Sequence, residues 1–378
     1  MTNIYIEIIS VLLLIYYSFF LLGLLKGLRR LSSSAGNSDF TPFVSVIIPF
    51  RNESHNILAS LESLQNQSYP NDKFEVIYVN DSTEDDSLQK IEKAKKLSNI
   101  KVVSVPNDFH QNAHKKRAIK FGLKNSMGEI IVTTDADCTH HIHWLRVMIS
   151  TFDKDTGFVS GPVKFVEENS LFEKLQKLEF SGLVLTGAGQ IGIGKPLICN
   201  AANIAYRKAA FDSVNGFDDQ LNLSSGDDEL LMQKIAKANI FKVKFCYNID
   251  AIVLTKGNES LNKFYHQRKR WASKGLFYAD KTVIFKLVLI FLFYLSIPVQ
   301  IFLAIFQSWI FIISVIGILF IKFLLEYFIL KTGVNFLFTK RLLKYLPLAE
   351  ILQIPYIIIS GVSGAFGNYS WKSRRIKR

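Results

Sequence analysis

Long apolar segments near both ends of the chain constrain its fold more than any other feature of the sequence. The first covers residues 4–25, and three others lie at about 283–303, 306–330 and 347–367. A helix rises roughly 1.5 Å per residue, so about 20 apolar residues are enough to cross a bilayer core of about 30 Å. We therefore predict a transmembrane anchor at residues 1–30 and a transmembrane or re-entrant region at residues 282–370.

Charges that flank these segments predict their orientation. Lys26, Arg29 and Arg30 follow the first segment, whereas a secretory signal carries its positive charges before the apolar core. An uncleaved anchor is therefore expected, with the residues after it in the cytoplasm. If all three C-terminal segments crossed, the basic tail at residues 371–378 would lie outside, against the positive-inside preference. A re-entrant or interfacial course stays open for one of them.

The positive charge of the chain belongs to these apolar segments rather than to a nucleic-acid surface. The formal net charge is +13, and residues 281–378 alone hold 12 Lys and Arg against 2 Asp and Glu. Anionic lipid and the positive-inside preference explain basic residues that flank apolar segments. We therefore expect a membrane, and no nucleic acid, among the partners.

Between the apolar regions the sequence alternates between strands and helices. Strands are predicted at residues 44–50, 74–80, 101–105, 129–134 and 158–166, helices at 54–66, up to 97, at 114–123 and at 170–185, and a strand followed by a helix at 199–211. Such alternation is typical of βαβ units with a mostly parallel sheet. The predicted fold class is α/β, Rossmann-like, with helices on both faces of the sheet and transmembrane helices in addition. We place a linker at residues 31–41 and the α/β domain at residues 42–262.

Two aspartates follow the strand at residues 129–134 directly. Asp135 and Asp137 stand one residue apart, and ligands of open α/β sheets bind at the carboxyl ends of the strands. A D-x-D sequence is common and also suits a plain loop or a helix cap, so its position after a buried strand is what favours function. Carboxylate oxygens hold divalent cations, which also bind the phosphates of a nucleotide diphosphate. Asp137 is the better candidate for direct ligation.

A second acidic group opens a later helix. Gly226-Asp227-Asp228-Glu229 precedes apolar residues at helical spacing. N-capping and the helix dipole also favour acidic residues there, so the pattern has a purely structural interpretation. A sugar or lipid hydroxyl is a weak nucleophile, however, and needs a carboxylate within hydrogen-bond reach to accept its proton. We predict Asp228 as this general base, with Asp227 in reserve.

Polar residues also follow the first two strands, at the same predicted edge of the sheet. Arg51 and Glu53 come after the first strand, which contains Pro49, and Asp81 comes after the second. Turn formation explains each of these sequences alone. Their convergence with the D-x-D sequence predicts a donor site, in which Asp81 accepts from a base N–H and Glu53 hydrogen-bonds ribose or uracil.

A basic and aromatic segment, Gln267-Arg268-Lys269-Arg270-Trp271, precedes the C-terminal apolar segments. One interpretation is an interfacial amphipathic segment at residues 263–281, with tryptophan at the lipid headgroups. In the other, Arg270 pairs with the donor diphosphate and Trp271 supplies an apolar wall for the acceptor. The two are compatible, since one face of the segment can lie on lipid and the other at the site.

Taken in order, VSVIIPFRNE, VNDST, HKKRAI, TTDADC, SGDDELL and QRKRW resemble the motifs of membrane-integrated family 2 glycosyltransferases. This group includes cellulose and hyaluronan synthases and ceramide glucosyltransferase-like enzymes, and the resemblance spans roughly residues 43–275. It implies a GT-A fold, a uridine-type nucleotide-sugar donor bound through a divalent cation such as Mg²⁺ or Mn²⁺, and inversion at the anomeric carbon.

The resemblance also implies roles for individual residues. It places Pro49, Glu53 and Asp81 around the nucleoside and Lys115 near the donor. The metal and diphosphate motif falls on Asp135 and Asp137.

For the acceptor side, the resemblance concerns two later motifs. The family base motif has Glu-Asp, two residues and then Leu. Here Asp227 replaces the Glu, and aligning Leu231 with the family Leu makes Asp228 the base. Gln267, Arg270 and Trp271 fit Q-x-x-R-W.

The predicted function is transfer of a sugar from a nucleotide-sugar donor to a lipid or membrane-delivered glycan acceptor at the cytoplasmic face of the membrane, the plasma membrane if the source is bacterial. A processive polysaccharide synthase is the alternative, although two or three C-terminal spans are few for a polymer channel. A non-catalytic nucleotide-binding scaffold or transporter is a second alternative, against which Asp137 and Asp228 argue, since a binding module needs no base. A sugar-phosphate nucleotidyltransferase would carry a Gly-rich basic loop after its first strand, and PFRNESHN has none.

Overall fold

The structure is a computed structural model that describes residues 2–31, 39–106, 109, 114–166, 169–218, 226–275, 278, 280–366, 369–371 and 374–376. Most of the predicted linker at residues 31–41 and much of the basic tail at residues 371–378 lie outside these ranges. The chain forms two compact units. The α/β unit comprises Arg29–Glu167 and Thr186–Lys256, and the helical unit comprises Met1–Leu28, Glu168–Leu185 and Gly257–Arg378. The domain boundaries expected from the sequence stay predictions.

Helices and strands are numbered in chain order. The helices are α1 (Thr2–Arg30), α2 (Ile57–Gln65), α3 (Ser87–Ala94), α4 (His114–Lys124), α5 (Trp144–Ser150), α6 (Leu171–Gly192), α7 (Lys208–Ser213), α8 (Glu229–Ala238), α9 (Leu261–Lys274), α10 (Lys281–Phe306), α11 (Ile310–Thr332) and α12 (Leu346–Phe366). The strands are β1 (Val44–Phe50), β2 (Phe74–Asn80), β3 (Ile100–Ser104), β4 (Ile130–Thr133), β5 (Thr139–His140), β6 (Thr156–Ser160), β7 (Val163–Phe165), β8 (Ile204–Arg207), β9 (Lys242–Phe245), β10 (Val253–Thr255), β11 (Tyr369–Trp371) and β12 (Arg374–Ile376).

A seven-stranded sheet forms the centre of the α/β unit, in the order β3-β2-β1-β4-β8-β6-β9. The pairs β1–β2, β1–β4, β2–β3 and β6–β9 are parallel, whereas β8 is antiparallel to both of its neighbours. Val46, Ile47 and Ile48 of β1 are completely buried. Continuous apolar strands of this kind are typical of parallel sheets covered on both faces. The predicted α/β class with a mostly parallel sheet is confirmed.

The predicted single strand at residues 158–166 is wrong, because the structure has two strands there. β6 ends at Ser160 in the large sheet, and β7 belongs to a separate sheet of order β5-β10-β7. Gly161 and Pro162 separate them. Proline has no N–H for a sheet ladder, and a Cβ on Gly161 would lie 2.3 Å from Nδ2 of Asn203. The predicted helix at residues 170–185 is also longer than expected and extends to Gly192.

The antiparallel strand β8 decides which loops meet at the carboxyl edge of the sheet. Thr133 at the end of β4 pairs with Ile204 at the start of β8. The residues before β8 therefore lie at the same edge as the residues after β1, β2 and β4. This edge carries most of the predicted site.

In the helical unit, the described residues include four helices long and apolar enough to cross a membrane by length and composition. They are α1, α10, α11 and the segment that contains α12, so the weakest of the four apolar segments qualifies as well. Three charged groups on these helices contact one another. Lys322 is almost completely buried, and its Nζ lies 3.0 Å from Oε1 of Glu326 and also contacts Glu350. Tyr17 of α1 donates to Glu326 over 2.7 Å, so the cluster joins several helices.

Candidate active site

Two loops that follow β1 and β2 are fastened to each other at the carboxyl edge. Asn52 has a left-handed backbone (φ 53°), which asparagine adopts more readily than most residues. Its N–H donates to Oγ1 of Thr83 over 2.8 Å, and its side-chain oxygen accepts from the N–H of Glu84 over 2.8 Å. The two loops therefore hold a fixed shape at the edge.

Arg51 and Asp81 occupy this fixed corner. Arg51 Nη2 donates to Glu84 over 2.7 Å, and Nη1 donates to the carbonyl of Asp81 over 3.4 Å. Asp81 is buried, and its carboxylate forms an ion pair with Arg117 of α4. The predicted contact of Asp81 with a base N–H thus competes with a guanidinium already present.

Glu53 hydrogen-bonds to residues at the starts of α2 and α3, and Pro49 lies near the end of β1. Oε2 of Glu53 accepts from Nδ2 of Asn56 over 3.0 Å, immediately before α2, and the N–H of Glu53 donates to Ser87 over 2.9 Å. Pro49 lies near the end of β1, beyond Ile47, the last residue of β1 that pairs with β4. Its missing N–H therefore interrupts no pairing with β4.

Lys115 joins the two acidic groups that the sequence singled out. Its Nζ lies 2.7 Å from Oδ1 of Asp135 and 3.3 Å from Oδ2 of Asp227. Asp135 lies two residues after the end of β4, Asp227 precedes α8, and Lys115 is near the start of α4. Three segments far apart in the sequence therefore bring their charges to one place, at the edge where ligands of such sheets bind.

Electrostatics keep this lysine charged. Burial alone would lower the pKa of the Lys115 ammonium, but the carboxylates of Asp135 and Asp227 outweigh burial and raise that pKa above its ordinary value. The two carboxylates and one ammonium together carry one net negative charge at this point of the sheet edge.

Asp228 is fixed by two backbone groups. Its Oδ1 accepts from the N–H of Glu229 over 2.7 Å as the N-cap of α8, and its Oδ2 accepts from the N–H of Ala201 over 3.0 Å. Gly226 has φ +86°, a backbone conformation that residues other than glycine rarely adopt, and this glycine permits the turn before the aspartates. Asp228 thus has both a capping role and a position at the carboxyl edge, because Ala201 belongs to the loop before β8.

Comparison with known sequences connects this geometry to a family. The sequence matches the description Glycosyl transferase family 2 over residues 45–214 and the description Glycosyl transferase family group 2 over residues 130–340. The second match covers more than half of the 378 residues. The chain belongs to the family 2 glycosyltransferases.

Individual relatives of this glycosyltransferase match only in part. Glycosyltransferase AglE of Haloferax volcanii is 30% identical over 192 residues, 49% of this chain and 59% of the relative. Beta-monoglucosyldiacylglycerol synthase of Trichormus variabilis is 26% identical over 238 residues, 62% of this chain and 49% of the relative. The matched part of the chain thus spans about half to three fifths of the length of these relatives.

A solved structure resembles the glycosyltransferase over almost its whole length. It is the mannosyltransferase PcManGT from Pyrobaculum calidifontis in complex with GDP-Man and Mn²⁺, with a TM-score of 0.64 and 18% identity. The similarity covers 96% of this chain and 99% of that one. At this identity the likeness concerns the fold, and it confirms the predicted GT-A type.

In this glycosyltransferase, Asp135 and Asp137 alone supply only part of the ligand set of a divalent cation. The Asp137 side chain is exposed, and its Oδ1 lies 3.6 Å from Sγ of Cys138, while Asp135 is paired with Lys115. In the described part of the chain, no group of three or more His, Cys, Asp and Glu side chains is placed to hold a metal ion. Mg²⁺ is often held by one or two carboxylates together with substrate phosphates. The residues therefore fit a cation that arrives with a diphosphate.

A chain of hydrogen bonds supports the turn that contains Asp135 and Asp137, and the sequence did not predict this chain. The hydroxyl of Ser63 donates to a backbone carbonyl, so Ser63 accepts from Nδ1–H of His140 over 3.0 Å. Nε2 of His140 then accepts from the hydroxyl of Thr134 over 2.9 Å, directly before Asp135. Burial lowers the pKa of His140 to about 3, so the imidazole stays neutral. Nothing in the local sequence indicates this link, because Ser63 lies on α2.

Gln267, Arg270 and Trp271 lie on α9 in the helical unit, whereas the other predicted site residues lie in the α/β unit. Gln267 accepts from Nδ2 of Asn258 over 2.9 Å. Arg270 and Trp271 are half-buried. Their roles toward diphosphate and acceptor stay predictions.

Proposed function

We propose that the chain transfers a sugar, with inversion, from a nucleotide-sugar donor to a hydroxyl of a lipid or membrane-delivered glycan at the cytoplasmic face of a membrane. One observation carries the proposal: Lys115 contacts both Asp135 of the D-x-D sequence and Asp227 of the second acidic group. A donor-side group and a candidate base group therefore share one edge of a GT-A-type sheet. This is the arrangement that a displacement at the anomeric carbon requires.

On the donor side, the diphosphate is the leaving group. Asp135 and Asp137 would hold Mg²⁺ or Mn²⁺ with it, and the bound cation would neutralise the charge that grows on the diphosphate. The ammonium of Lys115, beside Asp135, would add a positive charge from the protein to that of the cation. The fixed corner formed by Arg51, Asn52 and Asp81 would receive the nucleoside.

On the acceptor side, Asp228 would take the proton of the attacking hydroxyl. Each of its oxygens already accepts one backbone hydrogen bond, and each carboxylate oxygen has a second lone-pair site. The hydroxyl oxygen bonds to the anomeric carbon, its proton passes to Asp228, and the bond from that carbon to the diphosphate oxygen breaks. The two backbone bonds orient the carboxylate for this transfer.

Two observations support a membrane-bound acceptor. Four helices of the described chain are long and apolar enough to cross a bilayer. A relative is named beta-monoglucosyldiacylglycerol synthase, and its match covers residues of both units. We propose UDP as the nucleotide from the family resemblance, although the solved structure PcManGT contains GDP-Man.

The decisive experiment supplies labelled UDP-sugars and GDP-sugars, with and without Mn²⁺, to the purified protein in vesicles of native lipid extract. Lipid-soluble and polymeric products are then separated. We expect a cation-dependent, lipid-soluble product that Asp137→Ala abolishes and the control Glu62→Ala, an exposed carboxylate on α2, preserves. Polymeric product would favour the processive synthase. No product with any donor would refute the proposal.

A further inference from the structure

Arg268 occupies the first x of Q-x-x-R-W, and its guanidinium contacts side chains on α6 and on α9. Its side chain is only 4% exposed. Nε donates to Oε1 of Glu179 on α6 over 2.9 Å, and Nη2 contacts Oε2 of the same carboxylate. This two-point pairing matches the planar fork of a guanidinium, which a lysine cannot reproduce.

The same guanidinium contacts both neighbours that the motif predicts as functional. Nη1 donates to the side-chain oxygen of Gln267. The guanidinium carbon lies 4.3 Å from the ring centre of Trp271 and 4.5 Å from that of Phe264. Arg268 is thus stacked on Trp271 one turn later and Phe264 one turn earlier. One side chain therefore fixes a ring and an amide.

A second set of hydrogen bonds reaches the same residues from α6. Oε1 of Gln176 accepts from Nδ2 of Asn258 over 2.9 Å, and Nδ2 of Asn258 also donates to Gln267. Tyr356 of α12 donates to Oε1 of Glu179 over 2.9 Å. We call this connected group the Arg268 clamp; its members are Gln176, Glu179, Asn258, Gln267, Arg268 and Tyr356. All of it lies within the helical unit.

Helix geometry separates the two arginines of the segment. Positions two apart on an α-helix are about 200° apart around its axis. Arg268 faces α6, so Arg270 lies toward the other side of α9 and is half-buried. The clamp and the diphosphate role predicted for Arg270 therefore involve different sides of α9.

A buried guanidinium is a costly way to hold helices together. Apolar residues of similar volume often stabilise a protein as much as a buried ion pair does, or more. An apolar residue would not hold the Gln267 amide, however, and would give up the charge that attracts the Trp271 ring. This difference points to a role beyond helix packing.

We propose that Arg268 and Glu179 are positioning residues that set the orientation of Gln267 and Trp271 for the transfer step. The inference rests on the proposed function. Loss of the clamp lets the Trp271 ring and the Gln267 amide rotate away from the geometry needed for the acceptor, while the donor corner in the α/β unit is unchanged. Misplacement by about 1 Å costs on the order of 100-fold in rate.

The test compares Arg268→Met, Arg268→Lys and Glu179→Gln with the control Lys263→Met, which removes a cation from an exposed ion pair on the same helix. Transfer of label to vesicles of native lipid extract, from whichever UDP-sugar or GDP-sugar the wild type uses, gives kcat per folded molecule and the donor KM. We expect the three clamp variants to lose about 10- to 100-fold in kcat with donor KM within about twofold, and the control to match wild type.

A spectroscopic readout follows the ring itself. The fluorescence of each variant, minus that of the same variant with Trp271→Phe, isolates Trp271, and acrylamide quenching reports its accessibility. We expect stronger quenching in Arg268→Met and Glu179→Gln. Unchanged kcat in Arg268→Met, or full recovery in Arg268→Lys, would overturn the inference. An inactive wild type would instead overturn the proposed function, which keeps the two failures distinct.

Discussion

Replacement of Asp228 by asparagine separates its catalytic role from its structural one. The change is nearly isosteric, and asparagine is as good an N-cap as aspartate, so α8 keeps its first hydrogen bond. The amide can supply only one carbonyl oxygen, whereas the carboxylate accepts from both Glu229 and Ala201. One backbone N–H then faces an NH₂ group, which costs about 1–3 kcal/mol of stability.

The catalytic loss is expected to be larger and of a different kind. General-base catalysis contributes about 10²- to 10⁴-fold, which corresponds to roughly 3–5 kcal/mol in the activation barrier. We therefore expect Asp228→Asn to fold, to bind donor with Mn²⁺ nearly as wild type does, and to lose transfer by about this factor. The assay combines thermal unfolding, donor binding by calorimetry and kcat at saturating donor.

Two matched variants make the result interpretable. Asp212→Asn changes an exposed carboxylate paired with Lys208 and should leave all three readouts unchanged. Asp227→Asn removes a partner of Lys115 and tests the reserve base. If Asp228→Asn transfers sugar within about twofold of wild type while Asp227→Asn is inactive, the base assignment moves to Asp227. If both transfer normally, a carboxylate base from this group is refuted.

Three further changes test other parts of the structure. The pKa of His140 is about 3 in the folded protein and about 6.5 in the unfolded chain, so the unfolded chain takes up the proton first as the pH falls. Between about pH 7 and pH 5, wild type should therefore lose about 2 kcal/mol of stability through this group. Thermal unfolding at the two pH values should show a smaller loss in His140→Gln. Lys322→Met leaves two carboxylates close together among apolar helices and should lower the stability of the protein by about 3–5 kcal/mol. The double variant Lys322→Met with Glu350→Gln should recover part of this loss. Equal unfolding temperatures for wild type and Lys322→Met would contradict the prediction. Asn52→Ala removes the side-chain oxygen that accepts from Glu84 and Thr83, and alanine tolerates the left-handed backbone less well. Donor affinity measured by calorimetry should therefore fall about tenfold, which corresponds to about 1.4 kcal/mol. Unchanged affinity would show that the corner does not shape the donor site.

Much of the sheet edge was predictable from the sequence, because it follows from local pattern. Continuous apolar strands predicted a parallel sheet, and parallel strands send their carboxyl ends to one edge. The residues after β1, β2 and β4 were therefore expected at one edge of the sheet, which is where Arg51, Asp81 and Asp135 lie. Only the residue types and their order were needed for this step.

Partners from distant segments were not predictable in the same way. The contact of Lys115 with Asp227 joins residues 112 positions apart, and that of Arg268 with Glu179 joins residues 89 positions apart. No periodicity encodes such pairs. The break at Gly161 and Pro162 was missed for a different reason, since apolar residues continue on both sides and hide the change of sheet.

The antiparallel strand β8 shows why the backbone anchor of the predicted base, unlike the base itself, needed the structure. In a fully parallel sheet, the residues before a strand lie at the amino edge, away from the ligand. β8 runs the other way, so its preceding loop reaches the carboxyl edge, and the N–H of Ala201 there binds Oδ2 of Asp228. Reversal of this one strand thus gives the second acidic group a backbone anchor at the edge where the D-x-D sequence ends. The sequence predicted a mostly parallel sheet and a strand followed by a helix at residues 199–211, and neither prediction indicates which strand is reversed.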